Sequence, residues 1–504
     1  MNIFCKNKIL CYFLLLTSYF LLATSHFSFM FAQAPDTLWT KRYGWYYGSD
    51  FGNSIQQTSD GGYIITGTTR GWGPRTWNLY LLKTGADGDT MWEKAYGGPD
   101  WDIGYSAQET NDGGYIAVGY TWYVETLYVY LIKTDVNGDS LWTKRFAKGI
   151  FNVGYAIQQT SDNGYIICGY TGSFGASGRD VYLIKTDTNG DTIWTKTYGG
   201  VHWDEGFSVQ QTTDSGYIIT GYTEKGDTAS TDVYLIKTDS SGDTLWTRTF
   251  GSAGSFNGNF DEGLSVQQTF DGGYVVVGSF GDDIVLLKTN ANGDTLWTKT
   301  FGAGGGWEEA YSVEQTSDGG YIIGGFTESF LAEKDNFYFV RTDLDGDTLW
   351  TKMIGWQEIE RDCFIRQTSD GGYIVVGSTD SFTDFGYEIC LIRFAPDTFA
   401  VQEAQTANPS PICLEIYPNP FRKHIGIRCM IHDTRYKIQD FSLKIYDAAG
   451  RLVKDFLRPT LNAVRPTLIW SGTDQANHKL PNGVYFLRLK TEDKTAVEKL
   501  ILLR

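Results

Sequence analysis

The sequence predicts an all-β protein, a seven-bladed β-propeller followed by a small immunoglobulin-like β-sandwich. This prediction rests on two short sequence motifs, Gly-Tyr and Asp-Thr/Ser-X-Trp. Each occurs seven times, at intervals of about fifty residues. The stretch between successive steps holds four strand-like runs joined by turn sequences, with no apolar pattern at helical spacing. A strand-based repeat of this length is typical of propellers and solenoids.

One repeat unit, residues 204–251, shows why the strands are expected in blades. Its strand-like runs are 208–212, 217–223, 232–238 and 243–250, and turn-forming Asp and Gly residues precede the second and the fourth. The second and third runs carry adjacent apolar residues, so both of their faces require burial. Radially stacked blades bury both faces. The glycine four residues after each repeat tyrosine is expected to let a neighbouring blade approach closely.

Residues 1–34 are expected to form a secretory signal peptide. Two lysines supply a positive start, residues 9–23 form an apolar run, and Ala32-Gln33-Ala34 offers a small-residue cleavage site. Pro35 disfavours cleavage directly after Ala34, so cleavage slightly earlier is an alternative. A membrane anchor is the other interpretation of the apolar run, which is short for that role.

Residues 35–399 are expected to form the propeller, with the ring closed by the two ends of the repeat region. This region begins with only a fourth strand, in residues 34–44, and stops after a third strand, in residues 387–399. Seven complete blades therefore result only if the N-terminal strand completes the last blade. Residues 36–43 should pair with residues 387–394, which leaves no open sheet edge at the junction.

The C-terminal part changes in character after a predicted linker at residues 400–411, which are small and polar and include prolines. Residues 412–504 lack the repeat steps and hold seven short strand-like runs, which indicates an immunoglobulin-like sandwich. The cysteines that follow the signal peptide recur in no repeat register. The sequence therefore implies neither a disulfide framework nor a zinc site.

Charge is distributed unevenly along the chain. The formal net charge is −17, of which the signal peptide carries +2 and residues 412–504 carry +7, so residues 35–411 carry −26. An acidic propeller repels phosphate, which excludes nucleic acid as a partner. After removal of the signal peptide, no segment is apolar and long enough to span a membrane. We expect the mature protein to be a monomer.

Four short stretches near the C-terminus occur in a distinctive order. They are Tyr417-Pro418-Asn419-Pro420-Phe421, Leu443 to Val453, Trp470-Ser-Gly-Thr-Asp474 and Asn482-Gly483-Val484-Tyr485-Phe486. In this order they resemble the sorting domains of the type IX secretion system, which are themselves similar to the Ig-like domain of the flagellar hook-assembly protein FlgD.

The resemblance implies that an outer-membrane translocon recognises the module, often before its removal. The protein would then reach the cell surface or the exterior through the periplasm, with type IX machinery as its partner. Tyr417 to Phe421, together with Gly483 and Tyr485, would form the sorting motif. A plain accessory Ig domain is the alternative.

The repeats look like those of secreted Bacteroidetes-type propeller proteins of unassigned activity. The turn from Thr238 to Trp246 also resembles the tryptophan-docking motif of quinoprotein-type propellers and, more loosely, Asp-box hairpins. These resemblances imply the fold and the strand order, with run 208–212 innermost and run 243–250 outermost. They do not carry a cofactor, and none is expected, because the chain lacks a quinone-site set of residues.

The Asp-rich turns before the fourth strands, such as residues 135–139 and 343–347, resemble calcium-binding loops. They lack the distant bidentate glutamate that such a site requires. A turn capped by Asp, with Gly at positive φ, explains them better. The Asp that precedes each second strand is interpreted in the same way, as a hairpin residue.

Catalytic residues are sparse in the repeats. His202 is the only histidine there, which removes most triads, zinc sites and histidine-based acid–base schemes. Acid pairs at 204–205, 261–262 and 308–309 offer carboxylates to a glycosidase. These pairs follow the repeat, however, whereas a catalytic site usually breaks the symmetry of a repeat.

One repeated position predicts a ring of polar residues, eight residues before the threonine that ends each first strand. Six of the seven are acidic: Asp50, Asp102, Asn152, Asp204, Asp261, Glu308 and Glu360. If the first strand is innermost, these residues lie near one mouth of the central channel. Each then caps its loop by accepting backbone N–H bonds and ties one blade to the next, or together they attract Ca²⁺ or a cationic ligand, with Asn152 as a neutral ligand.

The sequence leaves three classes of function open, because propellers host all of them. The leading hypothesis is a secreted or cell-surface propeller that binds a glycan or a protein and has no catalysis of its own. The second is a secreted carbohydrate- or peptide-degrading enzyme, and the third is a structural or adhesion component of the surface. Exposed aromatics at Trp45, Trp72, Trp77 and Trp122 would favour glycan contact, whereas carboxylates with raised pKa values would favour the enzyme.

Overall fold

The structure is a computed structural model. It describes residues 34–44, 48–71, 76–147, 150–172, 178–226, 230–251, 260–302, 306–329, 334–356, 358–382, 386–397, 412–417, 425–431, 442–447, 451–456, 467–490 and 495–502. Residues 1–33 of the predicted signal peptide, the predicted linker, Trp45, Trp72 and Pro418 to Phe421 lie outside these ranges. The described secondary structure is all β. No helix within these ranges is long and apolar enough to cross a membrane.

The propeller consists of seven four-stranded antiparallel sheets. Six sheets follow the chain order from the innermost to the outermost strand, as in β2-β3-β4-β5 for the first blade. The innermost strands are β2 (Asp50–Gln57), β6 (Asp102–Glu109), β10 (Asn152–Gln159), β14 (Asp204–Gln211), β18 (Asp261–Gln268), β22 (Glu308–Gln315) and β26 (Glu360–Gln367). The predicted strand order is confirmed.

The second and third strands of each blade form its core, because both faces of these strands are buried between blades. The second strands are β3 (Tyr63–Thr69), β7 (Tyr115–Tyr123), β11 (Tyr165–Thr171), β15 (Tyr217–Glu224), β19 (Tyr274–Phe280), β23 (Tyr321–Thr327) and β27 (Tyr373–Thr379). The third strands are β4 (Asn78–Thr84), β8 (Thr126–Thr134), β12 (Asp180–Thr186), β16 (Thr231–Thr238), β20 (Asp283–Thr289), β24 (Asn336–Thr342) and β28 (Glu388–Phe394).

The outermost strands include the one that closes the ring. They are β1 (Thr37–Tyr43), β5 (Thr90–Tyr96), β9 (Ser140–Phe146), β13 (Thr192–Tyr198), β17 (Thr244–Phe250), β21 (Thr295–Phe301) and β25 (Thr348–Ile354). Strand β1 pairs antiparallel with β28, so that Thr40 lies opposite Ile392 and Tyr43 opposite Ile389. The seventh sheet therefore has the order β1-β28-β27-β26, and the predicted closure is confirmed.

The outermost strands lock each blade to the next through their tryptophans. Trp92 packs on Gly138 in the turn of the following blade, where a Cβ would lie 2.8 Å from the indole ring, and on Tyr115 at 5.4 Å between ring centroids. Gly138 has a φ of +77°, which favours glycine at this position. At the interface between the sixth and seventh blades, Trp350 donates from Nε1 to Asp397 at 2.9 Å instead. This is the blade-to-blade packing that the tryptophan-docking resemblance implies.

The glycine in the second strand serves a purpose different from the predicted one in six of the seven blades. A Cβ on Gly67 would lie 1.8 Å from the carbonyl oxygen of Phe51, in the innermost strand of the same blade. The register of β2 against β3 shifts at this point, between Gly52 and Ser54. In six blades the close approach is therefore a β-bulge within the blade, and the expectation that a neighbouring blade causes it is wrong there. In the seventh blade the expectation is confirmed, because a Cβ on Gly377 would lie 2.5 Å from the ring of Phe337 in the sixth blade.

The C-terminal module is a two-sheet β-sandwich, as predicted. One sheet has the order β29-β30-β33 and the other β32-β31-β34-β35. Ile427 and Trp470 from the first sheet pack against Leu443, Leu487 and Leu500 from the second. The strands are β29 (Ile412–Tyr417), β30 (Ile425–Ile431), β31 (Ser442–Asp447), β32 (Leu452–Asp455), β33 (Thr467–Trp470), β34 (Gly483–Lys490) and β35 (Thr495–Leu502).

Candidate functional site

The innermost strands surround a central channel with a cavity of about 460 Å³. At the end of the channel where these strands finish, Gln-Gln pairs join neighbouring blades. The first residue of a pair accepts a backbone N–H bond from the next blade, as in Gln211 N to Gln158 Oε1 at 2.6 Å. The second accepts one from the preceding blade, as in Ser161 N to Gln211 Oε1 at 2.8 Å.

These bonds form a girdle that follows the ring. The second kind of bond occurs at all seven blade interfaces and includes the seam, where Ser369 N donates to Gln57 Oε1 at 2.8 Å. The first kind occurs at six interfaces, one of which uses Glu314, and Arg366 stands at the seventh position. The residues at this end of the channel therefore hold neighbouring blades together.

The predicted polar ring lies at the other end, where the innermost strands begin. All seven residues are buried, with at most 2% of their surface exposed. The side chains are held by bonds from their own blade and from the connection to the preceding one: Gly200 N, between β13 and β14, donates to Asp204 at 2.8 Å, and the hydroxyls of Thr171 and Thr327 donate to Asn152 at 2.8 Å and to Glu308 at 2.9 Å. Burial raises the pKa of the Asp102, Asp204 and Glu360 carboxyls.

The backbone bond from Gly200 to Asp204 is of the kind that the loop-capping role predicts, whereas the two threonine bonds come from side-chain hydroxyls. Within the described ranges, no three His, Cys, Asp or Glu side chains are grouped closely enough to hold a metal ion. The calcium hypothesis for Asp50, Asp102, Asn152, Asp204, Asp261, Glu308 and Glu360 stays a prediction. The Asp-rich turns behave similarly, since Asp135 accepts from the backbone N–H groups of Asn137 and Asp139, both at 2.8 Å.

The residue after each ring position divides the mouth into two unlike halves. Blades one to three carry the apolar residues Phe51, Ile103 and Val153, and blades four to six carry Glu205, Glu262 and Glu309. We call these three glutamates the acid arc. Burial, together with the charges of Glu309 and Glu205, raises the pKa of Glu262 to about 7. The carboxylates are thus close enough to affect one another, although the sequence suggested only regularly repeated acid pairs.

Tyrosines and an arginine surround the acid arc. Arg179 forms an ion pair with Glu205, and its guanidinium lies over the rings of Tyr170 and Trp203, at 4.5 and 4.7 Å from their centroids. The Tyr311 hydroxyl donates to Glu309 Oε2 at 3.1 Å. In the seventh blade Asp362 occupies the position that is Gly or Ala in the others, and burial raises its pKa to about 6.

An exposed aromatic rim surrounds the mouth, at the position directly before the polar ring. In five of the seven blades this residue is aromatic: Trp101, Phe151, Trp203, Phe260 and Trp307, with 41 to 59% of their surface exposed. The sequence hypothesis named other tryptophans. Of these, Trp77 is half-buried and Trp122 is 38% exposed. The rim could have been found from the sequence, because its residues occupy the position directly before each residue of the polar ring.

The described members of the predicted sorting motif lie in β29 and β34. Tyr417 ends β29 and Gly483 begins β34. Tyr485 is buried in the sandwich core, and its hydroxyl donates to the carbonyl of Pro481 at 2.8 Å. The remaining members, Pro418, Asn419, Pro420 and Phe421, lie outside the described residues.

A protein-family comparison identifies this module. Residues 415–503 match the model of the secretion system C-terminal sorting domain. The chain is a β-propeller protein with a type IX sorting tail. It is therefore exported through the periplasm to the cell surface or beyond, as the resemblance implied. No curated protein matches the chain in sequence.

Solved structures that match the chain share little sequence with it. PorZ, a type IX secretion component from Porphyromonas gingivalis, is 10% identical over 90% of this chain, with a TM-score of 0.39; the chain spans 59% of its length. A fungal alcohol oxidase of the AA5 family is 10% identical over 94% of this chain and all of its own, with a TM-score of 0.44. The Trilobed protease propeller from Pyrococcus furiosus is 10% identical over 70% of this chain and 98% of its own, with a TM-score of 0.39.

Proposed function

We propose that this exported propeller binds a glycan chain at the mouth of its channel and performs no catalysis of its own. The observation that carries the proposal is the aromatic rim, in which five blades present an exposed ring at the same register. Large apolar side chains in water are unfavourable, and such patches mark interaction sites. Separate aromatic faces in a polar surround suit sugars, whose C–H faces stack on rings while their hydroxyls form hydrogen bonds.

Three of the rim residues are held in place before any ligand arrives. The carbonyl of Trp101 accepts from Trp122 N at 2.7 Å, and that of Trp307 accepts from Glu328 N at 2.9 Å. Arg179 covers one face of Trp203, and Trp307 meets Phe326 edge-on at 5.7 Å. Side chains already ordered lose little entropy on binding, which favours affinity.

The inner part of the mouth supplies the polar half of such a site. The acid arc and the hydroxyls of Tyr155 and Tyr311 lie just inside the rim, with Tyr155 Oη 3.5 Å from Glu205 Oε2. Carboxylates accept hydrogen bonds from hydroxyl groups, and tyrosine both donates and accepts. A sugar chain lying across the rim therefore finds stacking surfaces outside and hydrogen-bonding groups inside.

The test is a binding screen of the full chain on soluble polysaccharides and a glycan array. We expect Trp203→Ala together with Trp307→Ala to weaken binding about tenfold or more. Leu245→Ala together with Leu296→Ala is the matched control, since these residues are 58% and 55% exposed on outermost strands, away from the mouth. Equal binding by the tryptophan variant, or the same loss in the leucine control, would exclude the rim as the site.

One observation favours hydrolysis as a second candidate function. A carboxyl group with a pKa near that of Glu262, raised to about 7, is partly protonated at neutral pH and can donate a proton to a leaving group. Glycoside hydrolysis pairs such an acid with a second carboxylate, and the acid arc offers Glu205 and Glu309. Reducing-end release measured alongside binding decides between the two functions. Activity that disappears in Glu262→Gln supports the enzyme, whereas binding without release supports the binding protein.

A further inference from the structure

Neighbouring blades meet around the mouth of the channel at one repeated position. The carbonyl of Arg179, just before β12, accepts from the backbone N–H of Asp204 in the next blade at 2.7 Å. The same bond occurs at five of the seven blade interfaces. At the interface of the fourth and fifth blades, Thr231 forms a parallel β-bridge to Phe260, the residue before Asp261. We call the residue in the place of Arg179 the facing position, and in blades one to seven it is Trp77, Leu127, Arg179, Thr231, Asp282, Asp335 or Tyr387.

The facing position lies opposite the residue that follows the polar ring in the next blade, and the two residues complement each other at five interfaces. Arg179 forms an ion pair with Glu205. Asp335 forms one with Arg361 at 2.8 Å, so the sixth blade uses the same pair with the charges exchanged. The other three pairs are apolar: Tyr387 with Phe51, Trp77 with Ile103 and Leu127 with Val153. The chain therefore matches opposite charges, or apolar residues, across these interfaces.

The interface of the fourth and fifth blades departs from this pattern. Thr231 stands opposite Glu262, which forms no hydrogen bond or ion pair with any residue that the structure describes. Thr231 is 6% exposed, and its hydroxyl has no hydrogen-bond partner among the described residues. Lys225, the cation between β15 and β16, pairs with Asp232 instead. A buried polar group without a partner destabilises the protein unless a ligand supplies one.

The interface of the fifth and sixth blades also lacks a complementary pair, but its glutamate has a partner. Asp282 at the facing position is exposed, and Glu309 accepts from the Tyr311 hydroxyl at 3.1 Å. The unmatched carboxylate of the acid arc is therefore Glu262.

Arg179 shows which group suits a carboxylate at this position. Its guanidinium pairs with Glu205 and lies over the rings of Tyr170 and Trp203, at 4.5 and 4.7 Å from their centroids. Aromatic faces attract cations, and this attraction adds to that of the carboxylate. The third and fourth blades thus form a cation site that the chain fills with its own side chain.

The same surroundings recur one blade further on. Tyr222 and Phe260 stand in the registers of the two rings that flank Arg179, and Glu262 stands in that of its carboxylate partner. Burial, together with the charges of Glu205 and Glu262, raises the pKa of Tyr222, so its hydroxyl lies near both carboxylates. Phe260 is 59% exposed, which leaves its ring accessible. Among the described residues, this interface therefore keeps the rings and the carboxylate of a cation site and lacks only the cation.

We propose that an organic cation from the ligand fills this position, and that it is the free amino group of an amino sugar in the glycan that the mouth binds. Phe260 belongs to the aromatic rim and lies two residues before Glu262, so a sugar stacked on its ring brings an amine toward the carboxylate. An ammonium group donates hydrogen bonds to a carboxylate and, unlike a hydroxyl, also pairs with its charge. The hydroxyl of Thr231 can accept one further bond. The inference rests on the proposed glycan binding and adds the chemical class of the sugar.

The experiment compares two ligands that differ at the amine, by calorimetric titration of the full chain. The ligands are a glucosamine hexasaccharide and an N-acetylglucosamine hexasaccharide of the same linkage. We expect the parent to bind the amine-bearing ligand about tenfold more tightly or better, and Glu262→Gln to bind both alike. Asp345→Asn is the charge-matched control and should keep the preference, because Asp345 is exposed in the turn between β24 and β25, at the girdle end of its blade.

A second variant fills the position from the chain itself. Thr231→Arg supplies the cation that Arg179 supplies in the preceding blade, and we expect it to weaken binding of the glucosamine hexasaccharide about tenfold. Binding of the N-acetylated ligand should not change. Leu245→Arg is the control, since it adds the same charge on an outermost strand. Thermal melting of each purified full chain shows whether the variants fold, and Glu262→Gln decides the question if Thr231→Arg does not.

Three outcomes would overturn the inference. One is equal affinity of the parent for the two hexasaccharides. A second is loss of the preference in Asp345→Asn or in Leu245→Arg, which would make net charge the cause. A third is tighter binding of an arginine hexapeptide than of either sugar, abolished in Glu262→Gln, which would make a protein the ligand. The glycan screen separates this inference from the proposed function: a parent that binds no glycan contradicts both, and one that binds neutral and amine-bearing glycans equally contradicts only the choice of sugar.

Discussion

The two ends of the innermost strands use the sevenfold repeat in opposite ways. At the girdle end, equivalent residues make equivalent bonds around the ring, and Glu314 accepts the same backbone bond that glutamine accepts elsewhere. At the mouth, equivalent positions carry unlike residues, with Phe51 on one side of the ring and Glu262 on the other. Repetition maintains the scaffold, and the departures from it are concentrated where a ligand can reach. Function on a propeller is therefore to be sought at positions where the register holds but the chemistry changes.

The largest loss of stability is expected when the strand that closes the ring is removed. Deleting residues 35–43 removes β1 and its ladder with β28, together with the packing of Trp39 on Gly88 and Tyr63. We expect a loss of about 5 kcal/mol or more in the free energy of unfolding, from lost backbone bonds and lost apolar burial. Denaturant unfolding measures it. An unchanged unfolding midpoint would show that the stability of the propeller does not depend on ring closure by β1.

A smaller effect is expected in the girdle. Gln158→Leu removes the acceptor of Gln211 N, a bond of 2.6 Å, and leaves that N–H without its partner. Such a loss destabilises a protein by about 1–3 kcal/mol. Gln158→Glu is the matched control, because a carboxylate keeps the acceptor, as Glu314 shows at its own interface. If both variants melt alike, the amide bonds do not hold the blades together.

The pH dependence of stability tests the raised pKa of Glu262 at the mouth of the channel. The pKa of Glu262 rises from 4.5 to about 7, so the folded chain keeps a proton that the unfolded chain releases, and stability falls as pH rises through this window. Glu262→Gln removes the titrating group. The free energy of unfolding should fall for both proteins between pH of about 4.5 and about 8. We expect the fall to be about 1–2 kcal/mol smaller in the variant than in the parent. Glu328→Gln, an exposed carboxylate beyond the rim, is the control, and identical pH profiles for Glu262→Gln and the parent would contradict the assignment.

The sequence was most informative about the regular half of the molecule. Its two repeated steps located the blades, and the incomplete first and last repeats implied the pairing of β1 with β28. The aromatic rim was missed because the search was for loops that interrupt the repeat, whereas Trp101 and Trp203 follow its register. The acid arc was missed because adjacency around a ring is a three-dimensional property. Repeats four to six lie side by side, so Glu205, Glu262 and Glu309 share one side of the channel, and the sequence alone shows them as separate pairs.

The smallest effect is expected at the polar ring, where the third blade provides a natural control. Asn152 holds this position through a hydroxyl bond from Thr171 and its own bond to the Leu127 carbonyl. If the ring serves to cap loops, Asp204→Asn keeps an acceptor at the same place and changes stability by less than about 1 kcal/mol. If the ring instead binds a cation, the same substitution removes a charged ligand and weakens binding. Calorimetric titration of the parent and the variant with Ca²⁺ distinguishes the two roles. Binding by the parent that is lost in Asp204→Asn would place a metal at the mouth, whereas equal melting temperatures with and without Ca²⁺ would leave the capping role alone.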